Sequence, residues 1–163
     1  MLSLESQVCA LEYAKRLKEL NVKQDSLFYF VKAESIGDYV FEHPVYMIAH
    51  LSQCNAIGED FISAFTVAEL LSFLPNRITI KENEPFNSFR LRIEKSFYCE
   101  QDDVNKNIIY KEDIYICNYY CDSTECEGEN AWMQRALTKS MSDSNCANAL
   151  TKMLIYLIEN NLV

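Results

Sequence analysis

The C-terminal stretch constrains the fold most. Its apolar side chains fall at Ala147, Leu150, Met153, Leu154, Leu157 and Ile158. Steps of three and four place them on one face of a helix. A helix with one apolar face must bury it against another element. Asp143 or Ser144 is expected to cap its start, and Asn160 with Asn161 to end it. The same period runs through Leu4, Val8, Leu11, Ala14, Leu17 and Leu20 at the other end of the chain. It predicts a helix over residues 3–20, with Ser3 as N-cap and Asn21 as a left-handed C-terminal residue. Lys15, Arg16 and Lys18 fall in its last turns, where positive charge suits the helix dipole.

Between these helices the period changes. Leu27 to Val31 (LFYFV) is apolar on both faces and reads as a central strand. Gly37 to Asp60 is ambiguous: Pro44 marks a boundary, and Val45 to Cys54 fits a short helix or a strand. Thr66-Val67-Ala68-Glu69 has capping-box spacing, so a short helix should run to about Phe73 and stop before Pro75. Phe65, just before the cap, is placed to staple onto Leu70. Phe89, Leu91 and Ile93 alternate with Arg90, Arg92 and Glu94, a half-buried strand. Ile108 to Tyr119 is a second such run, joined to the first by a polar hairpin loop over residues 101–107. Arg77 to Lys81 adds a further short strand. The expectation is one α+β domain over residues 1–163. A mainly antiparallel sheet of about four to five strands would pack with N-terminal, middle and C-terminal helices.

Composition narrows the function classes. Fifteen basic residues against 24 acidic ones give a net charge of −9. A protein that binds DNA or RNA by neutralising phosphates normally has the opposite sign, so direct nucleic-acid binding is not expected. Three glycines leave almost no material for a glycine-rich phosphate cradle. Charges interrupt the N-terminus from Glu5 onward, and no apolar run is long enough to span a bilayer, so a cytoplasmic protein without membrane contact is expected. Seven scattered cysteines without a secretory signal read as reduced thiols.

Motifs for chemistry are sparse. His43 and His50 lie seven apart, with Cys54 four further on. They would form part of a zinc site only on a continuous helix, which Pro44 argues against. Cys117, Cys121 and Cys126 have C-x3-C and C-x4-C spacings, unlike paired zinc knuckles. Asp122 to Glu129 is acidic but lacks the alternating ligands and the glycine step of a calcium loop. No cofactor, metal ligand or catalytic residue is assigned. Arg90 and Arg92 should share one face, suited to an anion or to acidic neighbours.

Charge distribution says more. Between Glu94 and Glu129 ten acidic residues meet three basic ones, a net of −7. The same stretch holds Tyr98, Tyr110, Tyr115, Tyr119 and Tyr120. Tyrosines beside carboxylates suit a protein-binding patch. The candidate residues are Tyr110, Glu112, Asp113, Tyr115, Tyr119, Asp122 and Glu125.

Three segments carry a resemblance: Leu17 to Val31 (LKELNVKQDSLFYFV), Ala64 to Pro75 (AFTVAELLSFLP) and Ala149 to Asn160 (ALTKMLIYLIEN). Together they resemble a family of small proteins of bacterial genomes, often found in phages, prophages and other mobile elements. That family shows the patterns LKELGVKQxSxFYW, AFTVAELxxxLP and KMLIYLLEN. Here Asn21 stands for the usual glycine and Phe30 for a common tryptophan, and the last helix lacks the acidic-alanine start. The resemblance implies a shared fold and brings no activity, cofactor or catalytic residue with it.

The reading that follows is a non-enzymatic accessory protein of a phage or mobile element, acting on a protein partner. Its sharper form is an acidic inhibitor of a host nucleic-acid enzyme, or an immunity protein, competing for a basic groove. One alternative is a thiol- or zinc-dependent enzyme using His43, His50 or the Cys117 to Cys126 cluster. Another is a small virion or assembly protein that forms a defined homo-oligomer.

Overall fold

The computed structural model describes residues 3–36, 38–54, 61–79, 88–101, 108–121 and 140–163. Within them lie the helices α1 (Leu11–Glu19), α2 (Val67–Phe73) and α3 (Cys146–Glu159). The strands are β1 (Phe28–Ile36), β2 (Tyr39–His50), β3 (Phe61–Ser63), β4 (Arg77–Thr79), β5 (Ser88–Gln101), β6 (Ile108–Cys121) and β7 (Met141–Asp143). The class is α+β with antiparallel pairing throughout, as expected. The strands do not form one sheet of four to five. Among the described residues they divide into a sheet with the order β2-β1-β3 and a sheet with the order β4-β5-β6-β7. No helix among the described residues is long and apolar enough to cross a membrane.

The N-terminal helix is shorter than its apolar period predicts. A 3₁₀ turn covers Leu4–Ser6, and α1 begins only at Leu11, with Ala10 rather than Ser3 as N-cap. The intervening backbone is drawn off by long-range partners. Val8 bridges to Thr66, the Cys9 N–H donates to the Phe65 carbonyl at 2.9 Å, and the Ala10 N–H donates to Asn148 Oδ1 at 2.7 Å. Val8 still reaches the core, so its place in the period was informative while its backbone was not helical. Asn21 closes the helix at φ 60° and Asn161 follows α3 at φ 53°, the left-handed positions asparagine tolerates.

The capping box of α2 is present and extended. Thr66 Oγ1 accepts from the Glu69 N–H at 3.3 Å, and the Thr66 N–H donates back to Glu69 Oε2 at 2.7 Å. The same carboxylate accepts from Ser26 Oγ at 3.1 Å and from the Leu27 N–H at 2.8 Å, so it ties the helix to the entry of β1. Helix α2 ends at Phe73. Leu74 turns extended at ψ 122° because Pro75 disfavours a helical residue before it. The Phe65 ring meets Phe73 edge-on at 5.5 Å.

Helix α3 is capped by Asn145, one residue past the expected Ser144. Asn145 Oδ1 accepts from the Ala147 N–H at 2.8 Å, and its amide donates to the Val8 carbonyl at 3.0 Å. Asp143 acts beside the cap instead, accepting from the Asn145 N–H at 2.9 Å and from Lys152 Nζ at 2.6 Å. Helix α3 contacts α1, α2, β6 and β7. One apolar cluster holds Leu17 of α1, Phe30 and Ile62 of the smaller sheet, Phe89, Cys117 and Tyr119 of the larger, and Leu150, Met153 and Leu157 of α3.

Within the ambiguous middle region, Tyr39–His50 is a strand, while residues 37 and 55–60 lie outside the described ones. β2 runs to His50, and a 3₁₀ turn at Leu51–Gln53 follows. Its pairing with β1 slips between Ala33 and Ser35, opposite the stretch that contains His43 and Pro44. β1 is central, as its two-sided apolar run predicts. The hairpin expected around residues 101–107 is confirmed by β5–β6 pairing out to Gln101 and Ile108, although residues 102–107 lie outside the described ones.

Candidate protein-binding surface

β5 and β6 each span 14 residues, roughly 46 Å at about 3.3 Å per residue. Their neighbours are short. β4 pairs only with Ser88 to Arg90, and β7 only with Tyr115 to Cys117. Beyond those contacts, among the described residues, β5 and β6 pair only with each other, from about Ser96 opposite Ile114 to Gln101 opposite Ile108, a stretch we call the ribbon.

Strand alternation sorts the side chains into two faces. Phe89, Leu91, Ile93, Lys95 and Phe97 share one face with Tyr119, Cys117, Tyr115 and Asp113 opposite them. The near end of that face is core. Tyr119 and Cys117 are fully buried, and Tyr115 is half-buried against the core cluster. Towards the ribbon the cover runs out: Ile93 is 38% exposed and Phe97 64% exposed. Lys95 Nζ pairs with the Asp113 carboxylate at 2.6 Å, with both side chains about half exposed. An ion pair this exposed contributes little stability, about 0–1 kcal/mol, and exchanges readily for another partner.

The candidate residues therefore do not all meet on one surface. Tyr115, Cys117 and Tyr119 do share a face, but at Tyr119 that face is the interior. The Tyr119 hydroxyl donates to the Pro75 carbonyl at 2.6 Å, and burial raises its pKa above the ordinary phenol value. Tyr119 is thus a core residue, and its place in a docking patch is corrected on that ground. Glu112 and Asp113 are both exposed, on opposite faces of β6. Tyr110 pairs with Cys99 within the ribbon. Asp122 and Glu125 lie outside the described residues, as do Cys126 and the rest of the acidic run to Glu129.

Sequence reasoning missed Phe97. The signal was present, because the alternation of Phe89, Leu91 and Ile93 continues in step to residue 97. The opposite face of the larger sheet is mixed, with Arg90, Arg92, Glu94 and Asn118 beside Ile114, Ile116 and Tyr120. Arg77 lies directly across from Arg90, and Arg92 lies two residues on, on the expected common face. Arg92 meets Glu94 at 2.9 Å and lies 5.1 Å from the centroid of the Tyr120 ring. This is the acidic-neighbour outcome for that arginine.

Among the described residues the thiol and histidine candidates do not converge. His50 Nδ1 lies 2.8 Å from Ser52 Oγ and accepts from the Ser52 N–H, while its ring meets Phe28 edge-on. His43 is exposed near the irregular stretch of β2. Burial pushes the Cys117 thiol up to about 12 and the Cys9 thiol up to about 11, and it also raises Cys146. A nucleophilic cysteine needs the opposite shift. Among the described residues no group of three or more His, Cys, Asp or Glu side chains is placed to hold a metal ion.

No protein-family model, curated protein or solved structure matches the chain.

Proposed function

We propose that the protein acts without catalysis, by engaging another protein through the outer half of the β5–β6 ribbon. The observation that carries this reading is Phe97, 64% exposed on β5 beyond the residues that β4 and β7 pair with, opposite Asp113. A large aromatic ring in water contributes nothing to folding and is a preferred anchor at interfaces. Asp113 lies opposite it on the same face, paired with Lys95, so the fitting partner presents an apolar pocket beside a basic group that can take up Asp113.

The wider setting is an accessory protein of a phage or mobile element. It is supported by the resemblance of the segments around Leu17, Phe65 and Met153. A host nucleic-acid enzyme is the partner class that best fits an acidic chain of net charge −9, since its substrate groove is basic. An immunity protein facing a nuclease toxin would use the same attraction.

The test is affinity capture from host lysate with the native chain and the Phe97→Asp variant in parallel, at low and high salt. The reading expects a stoichiometric protein that the variant loses and that salt weakens. A captured set identical for both chains would overturn it.

A further inference from the structure

We draw no further inference here: the strongest candidate, the apolar depression of about 720 Å³ that Val31, Met47, Ala49, Cys54 and Phe61 line on the smaller sheet, carries none because nothing in the structure shows what covers it.

Discussion

Glu69 is the side chain whose removal should cost most for its size. Its carboxylate accepts from the Thr66 N–H at 2.7 Å, the Thr66 hydroxyl at 2.8 Å, the Ser26 hydroxyl at 3.1 Å and the Leu27 N–H at 2.8 Å. Glu69→Ala leaves two backbone donors and two hydroxyls without that acceptor. A hydrogen bond to a charged group is worth about 1.5–3 kcal/mol, and an N-cap contact about 1 kcal/mol. The four bonds share one carboxylate and Leu27 is exposed, so they do not add in full. The expected loss is about 3 kcal/mol, or a fall of about 6–12 °C in Tm for a chain of this size. Glu69→Gln keeps one carbonyl oxygen but not the charge, and should lose about half as much. Urea unfolding of both variants, together with Thr66→Val and the Glu69→Ala/Thr66→Val double variant, checks the reasoning. The double variant should cost clearly less than the sum, because both single changes break the same box. A Glu69→Ala cost under about 1 kcal/mol, or full additivity, would refute the shared-carboxylate account.

Further expectations follow from the same geometry. For Asp143, burial alone would raise the carboxyl. Hydrogen bonds from Lys152, the Asn145 N–H and Asn148 outweigh that, so its pKa lies below the ordinary value. A lowered carboxyl contributes stability that is present above the unfolded-state value and lost as pH falls through the native one. The native chain should therefore lose more stability than Asp143→Asn as pH falls from about 5 towards 2, as read by urea midpoints. With a thiol reagent at pH 8, half-buried Cys54 should react ahead of Cys9 and Cys117, which wait for unfolding; native-state labelling of Cys117 would contradict its burial. Asn21→Gly should be tolerated at φ 60°, whereas Asn21→Ala should cost about 1 kcal/mol in the same assay.

Much of the fold could be read from local pattern. The α2 capping box, the left-handed Asn21, the central β1 and the β5–β6 hairpin each rest on residues that are neighbours in sequence or alternate along one strand. The misses share one cause. Ser3 and Ala10 differ as caps because Val8 to Ala10 bond to Phe65, Thr66 and Asn148, partners that no window around residue 8 contains. The division into two sheets is likewise set by which strand edges meet, and periodicity is silent on that. Tyr119 reads as part of the docking patch because it is one of several tyrosines in an acidic stretch. Its burial comes from the α3 side of the sheet and from a hydroxyl satisfied by Pro75, distant in the chain. Phe97 went unnoticed for the converse reason: its alternation reads as core, yet it lies beyond the residues that β4 and β7 pair with and is exposed.

The most direct test of the ribbon as a binding surface is site-specific photocross-linking. A photoreactive phenylalanine analogue is placed at position 97 and, as a control, at Val163, itself 56% exposed. Irradiation in host lysate should give a discrete adduct to one protein from position 97, suppressed at high salt and absent from position 163. Adducts of the same pattern from both positions, or none from position 97, would contradict the account.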